Sequence, residues 1–238
     1  MGLNFRDVLN VMGMYPGDPG EPGSDFAGVA IEAGADVTKV APGDSVWGLS
    51  TGCLRTFVTV DSRLAERVPR GWSCEEACTM PTTWATVWAC FGEAAGLQKG
   101  DRVLIHAATG GVGLVAVNFA LSVGAVVYAT AKPGEKQAYL RDKMGITRIS
   151  TTRDCATFVR EMGELLGASK LDAVLNSLSH QDYIPESLAM LRDGGHFMEI
   201  GKRDIWTEEQ MSSARPAVVY DVIAVDARSA EVCCTRCH

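Results

Sequence analysis

The chain has 238 residues, 47% of them hydrophobic and 21% charged, a balance that builds one large or two modest globular domains and excludes a disordered or collagen-like polymer. Its 22 Lys and Arg stand against 29 Asp and Glu, a net charge of −7, which gives no broad attraction to nucleic acid or to an anionic membrane surface. Eight cysteines in a chain able to bury its own core, with no cationic-then-apolar leader, read as reduced intracellular thiols; the expected location is cytoplasmic, an organelle such as a plastid being left open.

Residues 1–95 read as mainly β. Phe26 to Glu32, Ser45 to Gly48 and Thr56 to Val60 are short strand patterns bounded by turn residues such as Pro42-Gly43-Asp44. Met14 to Gly23 carries too much Gly and Pro for a helix or a central strand, so Tyr15 is expected at the lip of an irregular loop. Ser73 with Glu76 three residues on is a capping-box signature for a helix through Cys78. Trp84, Val87, Trp88 and Phe91 place an apolar stripe on the helix that follows.

From Gly100 the period changes. Strands at Arg102 to His106, Ala125 to Thr130, Arg148 to Ser150, Leu171 to Leu175, His196 to Ile200 and near Val218 to Val225 are expected. Between them fall helices at Gly111 to Val123, Gly134 to Met144, Cys155 to Leu166 and Asp182 to Leu191. Strand and helix alternating in this way predict an α/β fold with a Rossmann-type, doubly wound parallel sheet over residues 96–226. The first of these helices keeps Val112, Val115, Ala116, Phe119, Ala120 and Val123 on one face, the stripe expected against such a sheet. Ala107 to Ala131 has no charge and is long enough to be tested as a membrane span, but its glycines divide it into turn, helix and strand.

The most specific signal is His106-Ala107-Ala108-Thr109-Gly110-Gly111-Val112-Gly113, lying between the first strand and first helix of the alternating half. Read as A-x-G-x-x-G, it has Ala108 at the first site, Gly110 where the backbone nears a pyrophosphate, and Gly113 where helix packs on strand. Free N–H groups and the positive helix end then receive phosphates. At the end of the second strand, where an acid would hold a ribose 2′-OH, the chain has Thr130-Ala131-Lys132. Thr130 as a donor, with Lys132, Lys136 and Arg153 as cations, suits a 2′-phosphate, so NADPH is expected over NADH.

No histidine precedes His106, and Cys74 and Cys78 have no second ligand pair to complete a zinc tetrahedron. The ending Cys234-Thr235-Arg236-Cys237-His238 matches a C-x-x-C-H haem attachment spacing, but a haem-enclosing fold is not apparent. The expectation is therefore chemistry without a metal. Proton donors must then be side chains: Tyr15 on its loop, and Lys202 and Asp204 after the strand ending Glu199-Ile200-Gly201.

Leu3-Asn4-Phe5-Arg6-Asp7-Val8-Leu9, Gly13-Met14-Tyr15-Pro16-Gly17-Asp18, the His106-Ala107-Ala108 block with its glycines, Leu175-Asn176-Ser177-Leu178 and Glu199-Ile200-Gly201-Lys202-Arg203-Asp204-Ile205 together resemble the enoyl reductase domain of polyketide synthases and animal-type fatty acid synthases, in the zinc-free branch of the medium-chain dehydrogenase/reductases. The likeness runs from about Leu3 to Asp226. It implies reduction of an enoyl thioester carried on an acyl carrier protein, with hydride from NADPH to the β-carbon and a proton to the α-carbon, among other synthase domains and with homodimerisation open. The tyrosine matching Tyr15 is linked in such domains to that protonation. The cofactor-binding set is then Asn4, Thr86, Ala108, Thr109, Gly110, Gly111, Val112, Gly113, Thr130, Lys132, Lys136, Arg153, Asn176 and Gly201.

The chain departs from these relatives in two respects. Some of them carry a lysine shortly after the Asn-Ser-Leu block, proposed as a proton donor, where this chain has Ser179-His180-Gln181-Asp182. The resemblance also implies that an N-terminal piece of the β-rich, GroES-like domain and its C-terminal return are absent, leaving 1–95 as a partial domain with an incompletely buried sheet edge and 227–238 as a tail of no assigned structure. Two rivals stay open: a free-standing NADPH quinone or alkenal reductase, and a non-catalytic nucleotide-binding module of a megasynthase.

Overall fold

The computed structural model describes residues 1–180 and 182–225. They form two compact units, one built on Met1–Ala85 and the other on Thr86–Ile223.

In the first unit, helix α1 (Phe5–Val11) is followed by an irregular loop to strand β1 (Asp25–Val29). Gly13, Gly17, Gly20 and Gly23 all take positive φ in that loop, which side chains other than glycine rarely adopt. Strands β2 (Ser45–Leu49) and β3 (Ala65–Arg67) complete an antiparallel sheet in the order β1-β2-β3. Phe26, Val46, Cys53 and Ala65 form its core, with Val58 and Val60 packed against them. The expected strand at Thr56–Val60 does not form: Val58 and Val60 pack on the core, but the segment joins no ladder. A β-branched run needs a hydrogen-bonding partner as well as an apolar face. The third strand is instead the more polar Ala65–Arg67, fixed by Val46, Trp47 and Gly48 opposite it.

Helix α2 (Cys74–Ala77) starts with the expected reciprocal cap: Glu76 N–H donates to Ser73 Oγ at 3.1 Å and Ser73 N–H to Glu76 Oε2 at 2.9 Å. Helix α3 (Pro81–Val87) runs into a π-helical stretch, Trp88–Ala94. Of the expected stripe here, Val87 and Phe91 are fully buried, whereas Trp84 and Trp88 are exposed. The buried face is completed by the smaller Thr83, Thr86, Ala89 and Cys90, so side-chain size misdirects the reading.

The second unit alternates β4 (Arg102–Ile105), α4 (Gly111–Val123), β5 (Val126–Ala131), α5 (Glu135–Met144), β6 (Ile149–Thr151), α6 (Cys155–Leu166), β7 (Leu171–Asn176), α7 (Tyr183–Met190), β8 (Leu191–Glu199), α8 (Glu208–Ala214) and β9 (Val219–Val222). All pairings are parallel, in the order β6-β5-β4-β7-β8-β9. This is the doubly wound arrangement with its reversal of strand order beside β4, where ligands of such sheets bind outside the carboxyl ends. Phe158, Met162, Tyr183, Ile184, Leu188 and Met211 cover Leu104, Val174 and Phe197.

On α4 the fully buried positions are Gly113, Ala116, Val117 and Ala120, while Val112, Val115, Phe119 and Val123 are half-buried. The helix turns its smallest side chains to the sheet, which permits close approach. Helices α1 and α8, not expected from apolar periodicity, are set by their caps: Asn4 N–H donates to Asp7 Oδ2 at 2.9 Å, and Thr207 exchanges bonds with Gln210 at 2.9 and 3.2 Å. None of the described helices is long and apolar enough to cross a membrane.

Candidate functional site

The glycine loop lies between β4 and α4, at the carboxyl edge of the parallel sheet. Ala107 holds a left-handed φ of 48°, uncommon for a residue with a Cβ. Its N–H donates to Thr130 Oγ1 at 3.1 Å and its carbonyl accepts from Gly110 N–H at 2.8 Å, so the conformation is pinned from both sides. A Cβ on Gly113 would come within 2.5 Å of the Ala107 carbonyl oxygen and 2.7 Å of Ala108 Cα, whereas one on Gly110 would meet Ala107 O at 3.2 Å. Gly113 therefore has room only for hydrogen. The first helical bond drawn to the cap is Leu114 N–H to Gly110 O, 2.9 Å, so the amides of Gly111, Val112 and Gly113 precede any intrahelical partner. Thr109 and Val112 are half-buried, Gly110 and Gly111 exposed, and Ala108 wholly buried, its N–H held by Thr130 O at 2.9 Å.

Thr130 is out of water. Its hydroxyl lies 3.1 Å from His106 Nδ1, and His106 Nε2 lies 2.8 Å from Ser187 Oγ. Burial, with a smaller contribution from His180, pushes the His106 pKa down to about 3, so the ring is neutral. Thr130, expected as a donor toward a 2′-phosphate, has its hydroxyl beneath the loop, on Ala107 and His106.

Ala131 pairs with Thr151 across β5 and β6, so Lys132, Lys136 in the first turn of α5, and Arg153 all follow the ends of neighbouring strands. All three are exposed. Gln137 ties those ends together, its Nε2 donating to Ala131 O and Ser150 O at 3.2 Å each.

Next to β4 on its other side, Asn176 ends β7 and pairs with Glu199 at the end of β8. Both are fully buried. Asn176 Nδ2 donates to Glu199 Oε2 at 2.5 Å, and Gly201 N–H to Glu199 Oε1 at 2.6 Å. Burial raises the Glu199 carboxyl to about pH 7, the hydrogen bonds from Asn176, Gly201 and Ile200 opposing it. Glu199 was not among the expected site residues; the signal for it was a carboxylate inside the apolar run Phe197-Met198-Glu199-Ile200 of a central strand. Lys202 is half-buried in the loop after Gly201, and Asp204 is exposed with a left-handed φ of 53°.

In the first unit, Asn4 caps α1 and donates through Nδ2 to Asp25 Oδ2 at 2.8 Å. Asp25, buried and with its pKa raised by desolvation, also accepts from Thr82 N–H and hydroxyl at 2.8 and 2.5 Å. Tyr15 lies half-buried in the α1–β1 loop with the Arg6 guanidinium 5.8 Å from its ring centre. Thr86 is buried at the start of the second unit. Among the described residues no three His, Cys, Asp or Glu side chains gather as a metal site. Cys78 is buried and donates to Glu75 O at 3.2 Å. The Cys234 to His238 motif lies outside the described residues, as does Gln181.

Comparison with known proteins gives this geometry a family. Residues 111–228 match the model described as zinc-binding dehydrogenase. Polyketide synthase GfsB of Streptomyces halstedii is 39% identical over 219 residues, 92% of this chain and 4% of that protein. The crystal structure of CurK enoyl reductase matches with a TM-score of 0.89 at 37% identity, over 97% of this chain and 72% of that chain. Mycobacterial Rv1454c complexed with NADPH matches with a TM-score of 0.83 at 25% identity, over 97% and 73%. The chain thus spans a small fraction of the length of the curated polyketide synthases it matches. It belongs to the enoyl reductases of the polyketide synthase type, within the medium-chain dehydrogenase/reductase superfamily.

Proposed function

We propose that this chain is an NADPH-dependent enoyl reductase that saturates the α,β double bond of an enoyl thioester borne on an acyl carrier protein, working among the other domains of a synthase. The observation that carries this reading is the cradle at Gly110–Gly113: a backbone approach that a Cβ at Gly113 would fill, beside amides with no intrahelical partner, at the switch point of a doubly wound sheet. The residues present fit a dinucleotide. Gly111, Val112 and Gly113 would hold the pyrophosphate. Lys132, Lys136 and Arg153 would hold a 2′-phosphate, with no acid at the end of β5 to repel it. Thr130 supports the loop from beneath through Ala107. Rv1454c, of similar fold, was solved with NADPH.

When bound, NADPH supplies a hydride for the β-carbon of the enoyl group. The chain's own task is to hold the thioester, keep water from the reacting carbons and deliver a proton to the α-carbon. Tyr15, Lys202 and Asp204 are the donors proposed for that proton, and Asn176 and Gly201 shape the edge at which Lys202 and Asp204 stand. In this reading residues 1–95 serve as a partial substrate domain and 96–226 as the nucleotide domain.

The test is NADPH oxidation with a crotonyl thioester on a carrier protein against a small quinone. Turnover of the thioester alone is the expected result. Preference for the quinone would make the chain a free-standing reductase, and NADPH binding without turnover of either would make it a non-catalytic module.

A further inference from the structure

Neither the cradle nor the proton donors account for the last residue of β8. Glu199 is an acid at the end of a central strand, in register with Asn176 on β7 and Val222 on β9, and fully out of water. A buried carboxylate is unfavourable unless donors satisfy it. Here donors reach both oxygens, Asn176 Nδ2 at 2.5 Å on one and Gly201 N–H at 2.6 Å on the other. The chain of bonds continues, since Asn176 Oδ1 accepts from Leu178 N–H at 3.3 Å. Gly201 is suited to this contact because a Cβ there would lie 2.6 Å from Glu199 Oε1. One carboxylate thus ties together the segments leaving β7 and β8. The second of these carries Lys202 and then Asp204, in its left-handed conformation.

We propose that Glu199 is a positioning residue: its ionised carboxylate clamps Asn176 to Gly201 and thereby fixes the loop that presents Lys202 and Asp204 to the substrate. The proposal rests on the reductase reading above. An ionised carboxylate accepts strongly at both oxygens, whereas a protonated one carries an O–H on one of them and accepts more weakly there, so protonation loosens one side of the clamp. The neighbouring groups leave that titration to Glu199. From β7 comes the neutral Asn176. From β9 comes Tyr220, which donates to Trp206 O at 2.7 Å and has its own pKa pushed up to about 12 by burial. The charged residues of the loop itself are Lys202, Arg203 and Asp204.

The test follows the Gly201 backbone amide by NMR in the unliganded chain from about pH 5.5 to 8.5, beside kcat, KM and NADPH affinity for the wild type and Glu199→Gln. Gln offers an NH2 where one oxygen stood and so mimics the loosened clamp. The Gly201 amide proton is expected to titrate with a midpoint near 7 in the wild type and to be flat in Glu199→Gln. That variant should lose about ten- to a hundredfold in kcat, lose the acid limb of the wild-type kcat profile, and keep its NADPH affinity within about threefold. A wild-type Gly201 amide that does not titrate overturns the clamp even where Glu199→Gln fails to fold. Titration without any loss of kcat in the variant overturns its positioning role. Should the wild type neither bind NADPH nor turn over, the reductase reading falls, while the amide titration still decides the clamp.

Discussion

The Nδ1 atom of His106 and the hydroxyl of Thr130 lie 3.1 Å apart, beneath the glycine loop and wholly out of water. The same hydroxyl receives the Ala107 N–H, so one buried side chain supports both the neutral imidazole and the strained residue that opens the loop. Thr130→Val keeps the shape and removes the oxygen, leaving the Ala107 N–H and a ring nitrogen unpartnered. Denaturant unfolding should show a loss of about 1–3 kcal/mol, with NADPH affinity falling as well, and Thr130→Ser should recover most of both. An unchanged midpoint for the Val variant would remove Thr130 as a support.

Burial holds the folded-state pKa of His106 at about 3, below its ordinary value near 6.5. The unfolded chain therefore binds this proton first, and stability is lost as pH falls through 6.5 toward 3. Glu199 acts in the opposite sense: its raised pKa means that its burial destabilises progressively as pH rises from about 4.5 to 7. The Glu199 contribution cancels on comparing the wild type with His106→Gln. Between pH 7 and pH 5, unfolding free energy in the variant should fall about 2 kcal/mol less than in the wild type. Equal pH dependence of the two would mean that His106 titrates in the fold.

The two glycines of the loop are expected to differ. Gly113→Ala sets a methyl against the Ala107 carbonyl and Ala108 Cα, backbone atoms that have no rotamer to yield, and should both destabilise the second unit and abolish NADPH binding. Gly110→Ala meets a single oxygen at 3.2 Å and should fold normally with weakened binding. Thermal melts and fluorescence titrations separate these outcomes, and intact NADPH affinity in Gly113→Ala would contradict the cradle.

Lys132 and Lys136 are exposed in the protein, and in the proposed reading they pair with the 2′-phosphate of NADPH. Lys132→Ala with Lys136→Ala should lower the NADPH over NADH preference about ten- to a hundredfold, the worth of one charge-assisted bond, with thermal stability unaltered. An unmoved cofactor ratio assigns the 2′-phosphate to Arg153 instead.

Tyr15→Phe retains the ring beside Arg6 and removes the hydroxyl proton. A proton donor is worth roughly 10²- to 10⁴-fold in rate, so turnover should fall within that range or the α-carbon configuration of the product should change. Identical rate and configuration would leave Lys202 and Asp204 as the donors.

The parallel sheet was legible because its inner strands β4, β5 and β7 are buried on both faces and so read as apolar runs, with helices between them. The glycine loop was legible from its place between β4 and α4. The antiparallel sheet was harder to read. Thr56–Val60 has strand propensity without a ladder, and Ala65–Arg67 has a ladder without propensity, because pairing there is decided by β2. Caps at Asn4 and Thr207 carried the signal for α1 and α8 that apolar periodicity lacked. Position along the chain could place Lys202 and Asp204 past a strand end, but the Glu199 bridge that holds their loop depends on register between β7 and β8. The inward hydroxyl of Thr130 likewise depends on which face of β5 lies under the loop.

The central claim is that the amides after Gly110 receive a dinucleotide's phosphates, and a crystal structure grown with saturating NADPH tests it most directly. The pyrophosphate is expected within hydrogen-bonding distance of the Gly111, Val112 and Gly113 N–H groups. A pyrophosphate bound elsewhere on the chain, or a loop left empty at saturation, would contradict it.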